Sequence, residues 1–197
     1  MWQIVLYVNT LSVSLFVLIA ALVSVLLTRW IASAPAERRR IARILFVTSL
    51  VVVLLATIAP TQLPGSGTRY VSLSPGGAFF GSEIEGMYPM ERRMATATSI
   101  ANAAMFVPLA IFRYAAVKRS SGLQVLAEGL ALSVCIELVQ LIMNAGRVVD
   151  IDDVLFNTTG ALIGVLVAGA SARWVGKGPR SARHRADAPE SAAGRRR

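Results

Sequence analysis

Seven polar residues in the second half of the chain are of types that could do chemistry together: Asn102, Glu137, Gln140, Arg147, Asp150, Asp153 and Asn157. They stand in or beside apolar runs, where ionisable groups are costly and normally turn inward or toward water. Three carboxylates accompany one base, so a cluster of them carries net negative charge. Such a cluster can hold an ammonium group, accept protons or act as a general base. Spacing decides whether they can meet. At 100° per residue, Ser133, Gln140 and Asn144 fall within about 60° of Glu137 and form one polar stripe. Glu128 lies nine residues earlier, so it points about 180° away and sits about 13 Å further along the helix. Its expected partner is a base on the adjacent turn, such as Lys118 or Arg119.

A second stripe follows. Asn157, Gly160, Gly164 and Ser171 lie within about 40° of Asp153. Gly160 and Gly164, continued by Ala168, form a small-xxx-small ridge that permits close helix approach. The preceding helix is the expected neighbour, because only Ala145 to Asp153 separates the two runs. In that turn Asp150 or Asp152 can cap the following helix, and Asp153 suits its positive end. Arg147 is the turn's single base and could bridge Glu137, Asp150 or Asp153 through its fork of donors. Asn102 lies near the start of an earlier apolar run. Pro108 follows it and is expected to kink that helix, freeing carbonyls.

The elements that position these residues are membrane spans. Of 197 residues, 55% are hydrophobic and only 16% charged, against about 25% charged in ordinary soluble domains. Yet the net charge is +9. Sparse charge argues against a soluble nucleic-acid binder, and high hydrophobicity argues against disorder. One cysteine and one histidine exclude a disulfide framework and a Cys/His metal cluster. A span needs about 20 mostly apolar residues. Five runs qualify: Ile4 to Leu27, Ile44 to Ala59, Ile100 to Val117, Leu123 to Met143 and Val154 to Ala172. The expected fold is therefore all-α, a polytopic membrane bundle of five transmembrane helices. The first run is longer than a signal-peptide core, and bases follow rather than precede it, so it reads as an anchor.

Counting Lys and Arg by loop gives 16 in one compartment and 4 in the other. Basic loops stay inside, so the N-terminus is expected outside and the C-terminus inside. Residues 1–43 form an additional N-terminal span with a basic inside loop. Residues 44–172 form the main membrane domain. Within it, 61–97 is an outside loop rich in Gly and Pro, expected to rest on the membrane surface through Phe79, Phe80, Met87 and Tyr88. Residues 173–197 read as a basic disordered cytoplasmic tail, a topology signal attracted to anionic lipid. The excess charge is mainly topological, while seven acids face four bases on the outside. Cys135 reads as an inert packing residue.

Three segments resemble the VanZ-like family of small bacterial membrane proteins. They are Asn102-Ala103-Ala104-Met105-Phe106-Val107-Pro108-Leu109, then Glu137-Leu138-Val139-Gln140, then Arg147 to Ala161 with its Asp150-Ile151-Asp152-Asp153 and Asn157. The resemblance covers roughly Ser99 to Gly169, with Leu55 to Pro60 similar to the preceding helix end. Ala110 departs from the glycine usual there. The first span and the basic tail look like additions to the shared core. The resemblance implies a multi-pass protein of the bacterial cytoplasmic membrane with a cell-envelope role. The family's named member gives low-level resistance to teicoplanin, a lipid-tailed glycopeptide antibiotic that binds cell-wall precursors.

Four functions follow from these residues. A non-enzymatic envelope protein would use the outer cluster to bind a lipid-linked precursor or a lipopeptide head group. A membrane enzyme would use Glu137 or Asp153 as general base; no covalent or metal catalytic set is recognisable, and no cofactor is implied. A transporter lacks a continuous polar path, because Glu128 and Glu137 face opposite ways, and the chain shows no inverted repeat. A scaffold would use the cluster only as a clasp. The first reading is preferred, with membrane lipids as partners and no nucleic acid.

Overall fold

The computed structural model describes residues 19, 22, 23, 26, 35–58, 62–67, 71–76, 88–145 and 149–176. Four helices dominate: α1 (Pro35–Ile58), α2 (Pro89–Ala116), α3 (Gly122–Met143) and α4 (Ile151–Gly176). All four are long and apolar enough to cross a membrane. Two short strands, β1 (Val71–Ser72) and β2 (Val149–Asp150), pair in parallel. The expected first span lies outside the described residues except at Ile19, Leu22, Val23 and Leu26, which are helical. Arg147 and the tail beyond Gly176 also lie outside them.

Helix boundaries follow local chemistry. α1 and α2 each begin at a proline, where a missing N–H costs nothing and φ is already helical. α2 starts eleven residues before the expected Ile100, because Met90 to Ala97 is rich in good helix formers. It continues as one helix through Pro108, although Pro108 brings no N–H to the Ala104 carbonyl. α3 ends at Asn144, which adopts φ 45° and ψ 52° and donates its N–H to the Gln140 carbonyl. Asparagine is among the few non-glycine residues that accept this left-handed geometry. α4 is capped by Asp150, whose Oδ1 accepts the Asp152 N–H at 3.0 Å. This is the side-chain-to-N2 bond of an N-cap.

Exposure is inverted relative to a soluble protein. On α3, Leu138 is 52% exposed and Ile142 78%, while Glu137 and Gln140 are buried. On α1, Val47, Val51 and Leu55 face outward. A water-facing surface would not carry so continuous an apolar belt; lipid is the solvent that fits it. Cys135, expected among packing residues, is exposed on this belt.

α4 packs against both α2 and α3. A Cβ on Gly160 would strike the Ala103 carbonyl, and one on Gly164 would come within 2.5 Å of the Val107 carbonyl oxygen. The small-residue ridge therefore seats α2, not the preceding helix as the short turn suggested. A short connection forces two helices to be adjacent without choosing which face meets. The α3 contact uses residues one step round, with Gly129 against Ala161 and Gly122 against Val165. Around this seam Val53, Phe106, Leu109, Ala110, Val125, Ile136 and Ala161 form the apolar core.

At one end of the bundle Arg113 Nη2 donates to Glu128 Oε1 at 2.7 Å, and Gln124 Nε2 donates to the same oxygen at 3.0 Å. The partner is thus Arg113 rather than Lys118 or Arg119. Lys118 and Arg119 lie in the exposed turn, whereas Arg113 lies on α2 facing α3.

At the other end the loop after α1 is stitched to the α3–α4 turn. Gln62 N donates to Ala145 O, Gly65 N to Met143 O and Gly67 N to Asn144 O, all at 3.0–3.1 Å. These amides satisfy carbonyls that the end of α3 leaves without helical partners. Val71 then aligns with Val149 and Ser72 with Asp150. Gly76 N donates to Asp152 Oδ1 at 2.6 Å. The described stretches 62–67 and 71–76 are bound to protein, not simply laid on the membrane. Of the four anchors expected there, Tyr88 is exposed, while Phe79, Phe80 and Met87 lie outside the described residues.

Candidate functional site

The stitched end of the bundle holds a polar cavity of about 260 Å³. α1 contributes Thr57; α2 contributes Ala95, Thr98, Ser99 and Asn102; α3 contributes Ile136, Glu137 and Gln140; the α3–α4 turn and α4 contribute Asp150, Asp153 and Asn157. Six of the seven residues singled out from sequence therefore line one space, although they come from four separate segments. The seventh, Arg147, lies outside the described residues.

Each helix presents its residues for a simple reason. On α3, Ser133, Glu137 and Gln140 recur at helical spacing and are all buried. On α4, Asp153 and Asn157 are one turn apart, above the flat glycine ridge that draws α4 onto α2. That close approach brings Asn102 Nδ2 to Asp153 Oδ1 at 2.8 Å. Gln140 Nε2 reaches across to the Thr57 carbonyl of α1 at 2.9 Å. Asn157 Nδ2 donates to Ser133 Oγ at 2.9 Å. Glu137 Oε2 accepts the backbone N–H of Asp150 at 3.2 Å, tying the α3–α4 turn over the cavity. Glu128 and Arg113 stand at the far end and take no part.

The hydroxyls on the wall are turned into their own helices. The hydroxyls of Thr57, Thr98 and Ser99 each donate to a carbonyl four residues back, Val53, Met94 and Ala95, at 2.7–3.2 Å. Their protons are spent inside their own helices, so lone pairs are what they offer the cavity. Asn157 is 1% exposed, and its Oδ1 has no hydrogen-bond partner. With three carboxylates alongside, the site is acidic and rich in acceptors. Among the described residues no three His, Cys, Asp or Glu side chains are grouped to hold a metal ion.

Thr57, Thr98 and Ser99 were not singled out from sequence. Ala95, Thr98, Ser99 and Asn102 do lie at i, i+3, i+4 and i+7, a helical face visible in the string. Placing the helix start at Ile100 hid it. Thr57 carried no signal, because its hydroxyl bonds within its own helix and what it offers Gln140 is a backbone carbonyl.

A family model described as VanZ/LLP1 matches residues 16–171. The match is wider than the Ser99 to Gly169 stretch that carries the quoted motifs, and it takes in part of the first apolar run. No curated protein and no solved structure matches the chain.

Proposed function

The chain belongs to the VanZ/LLP1 family and is a multi-pass membrane protein; from that premise we propose that it serves the bacterial cell envelope by binding a head group in its acidic cavity. The ligand is the head group of a lipid-linked precursor or a lipopeptide at the outer leaflet of the cytoplasmic membrane. The single observation that carries this reading is the cavity of about 260 Å³, lined by Glu137, Asp150 and Asp153 and by amides.

Two arguments support it. Interhelical polar contacts in membranes contribute only about 0.6 kcal/mol each on average. The three side-chain bonds Asn102–Asp153, Gln140–Thr57 and Asn157–Ser133 then contribute about 2 kcal/mol together. A clasp of that strength does not account for a cavity with three carboxylates on its wall. The second argument is position. Arg39, Arg40, Arg43, Arg113, Lys118 and Arg119 gather at the opposite end of the bundle, and basic ends stay in the cytoplasm. The cavity then faces outward, where cell-wall precursors and glycopeptides meet. Occupying or re-presenting such a molecule would link the protein to teicoplanin resistance.

The test is binding of short-chain zwitterionic lipids to the purified protein. Glu137→Gln and Asp153→Asn, checked for wild-type helicity and melting, should each weaken binding at least severalfold. Binding equal to wild type in both variants refutes the reading.

A further inference from the structure

We propose that the ligand's acyl chain is seated inside the bundle, in a second, apolar cavity of about 200 Å³ that continues the polar one. This inference rests on the head-group reading and adds to it the class of carrier, an amphiphile with one chain drawn into the protein.

The same helices build both spaces. Asn102, Ile136 and Asn157 line the polar cavity. Phe106, Leu132 and Ala161, each four residues away on α2, α3 and α4, line the apolar one. Four residues are about one turn, so each pair shares a helix face. α1 does the same over about two turns, from Thr57 to Leu50. The two spaces are therefore consecutive segments of one interhelical seam, polar at the stitched end and apolar further in. α1 packs chiefly on α2 and only lightly on α3, so the seam is weakest between α1 and α3. Phe46, Leu50 and Leu132, which form the apolar wall there, are half-buried. Among the described residues the first span lies elsewhere, since Ile19 and Val23 line a separate cavity with Thr48, Val52 and Pro108. A chain entering between α1 and α3 comes directly from lipid.

Size and depth set the length of chain that fits. An apolar cavity of about 150 Å³ stays dry and holds benzene, with its six carbons. By that measure about 200 Å³ holds about eight carbons. The floor is polar. Arg113 and Glu128 line the cavity and are paired at 2.7 Å, so their charges compensate each other and give a hydrocarbon no reason to pass. Ile136 in the polar cavity and Glu128 at this floor are eight residues apart, about 12 Å along α3. Carbon–carbon bonds of about 1.5 Å in a zig-zag advance about 1.25 Å per carbon, so about ten carbons span that distance. Volume and length thus agree on a segment of about eight to ten carbons. Surrounding lipid is as apolar as the wall, so burial alone favours neither. What the cavity contributes is fit, and chain length is what it reads.

The experiment is photolabelling of the full-length protein in lipid nanodiscs. The probes are zwitterionic lysolipids with a diazirine at the chain end and chains of six, ten or sixteen carbons. The ten-carbon probe should label residues 106–113 and 125–132 at least about fivefold more than the exposed belt at Val47 and Val51. Excess unlabelled ten-carbon lysolipid should remove that label and spare the belt. The six-carbon probe should label nearer Ile136, and the sixteen-carbon probe should lose the site-specific label. Leu50→Trp and Leu132→Trp, which fill the cavity, should each lower the ten-carbon label at least about threefold. Both should leave binding of glycerophosphoethanolamine, a head group without a chain, unchanged. The wild-type series stands without either variant if one fails to fold. Label that follows the belt at every chain length and resists competition, with glycerophosphoethanolamine binding still weakened by Glu137→Gln, overturns the chain seat and leaves the head-group reading intact. Site-specific, competed label that survives both Glu137→Gln and Asp153→Asn upholds the chain seat and refutes the head-group reading.

Discussion

The seam between α2 and α4 can be tested by one substitution made at two places on one helix. Gly164 and Gly169 both lie in α4, five residues apart. A Cβ on Gly164 would stand 2.5 Å from the Val107 carbonyl oxygen and 2.8 Å from the Ala110 Cβ, whereas one on Gly169 would meet nothing within 4 Å. Ordinary contact begins near 3.4 Å, so Gly164→Ala requires α2 and α4 to part by about 0.9 Å. The obstacle is backbone and cannot rotate away. Overpacking of this kind costs about 1–3 kcal/mol, offset by up to about 1 kcal/mol from alanine's better helix propensity. The net expectation for Gly164→Ala is a destabilisation of up to about 2 kcal/mol, and of about 1–3 kcal/mol relative to Gly169→Ala, where the propensity gain cancels. Gly169→Ala keeps only the propensity gain and should be neutral or stabilising by up to about 1 kcal/mol. Gly160→Ala, aimed at the Ala103 carbonyl, should be worse than Gly164→Ala. Unfolding by SDS titration in mixed micelles, followed by circular dichroism, measures all three. Equal stability of Gly164→Ala and Gly169→Ala would refute the packing argument, since intrinsic propensity is identical in the two.

The Arg113–Glu128 pair, 2.7 Å apart with side chains 18% and 40% exposed, should behave as a partly buried charge pair. Glu128→Ala should cost about 1–3 kcal/mol and leave head-group binding unchanged, and the exchanged pair Arg113→Glu with Glu128→Arg should recover part of the loss in the same titration. Full additivity of the two single changes would show that the pair contributes nothing. The register of β1 with β2 places Val71 beside Val149. Strands lie about 4.8 Å apart, within disulfide reach, so Val71→Cys with Val149→Cys in a Cys135→Ser background should cross-link on mild oxidation. Free thiols in the oxidised protein would show that the loop is not paired there. Ser74→Cys should react with a membrane-impermeant thiol reagent on intact cells and Arg119→Cys only after lysis; the reverse pattern would turn the cavity inward.

Much of the site was readable before folding because its residues are out of place chemically. Glu137, Gln140 and Asn157 sit in apolar runs where lipid offers no hydrogen bonds, so each must find protein or water. That requirement singles them out, and helical spacing then sorts them onto faces. The same logic separated Glu128 from Glu137 by angle and depth. It pointed to Lys118 or Arg119 as Glu128's partner and missed Arg113, because all three lie near the same turn and only the packing of α2 on α3 selects one. Thr98 and Ser99 escaped because hydroxyls bonded to their own helix carry no penalty in lipid and so leave no anomaly.

By itself the sequence determined what depends on solvent and on local period: helical spans, their apolar belt and the polar stripes. These are properties of a residue and its near neighbours, so they need no partner. Tertiary structure alone decided which helix meets the Gly160 and Gly164 ridge, because a ridge of small residues permits close approach without naming the neighbour. It alone decided that the loop after α1 pairs with the α3–α4 turn, because backbone amides form those bonds whatever their side chains. And it alone showed the cavity wall as acceptor-rich, because the direction of each hydrogen bond exists only once donor and acceptor have been brought together.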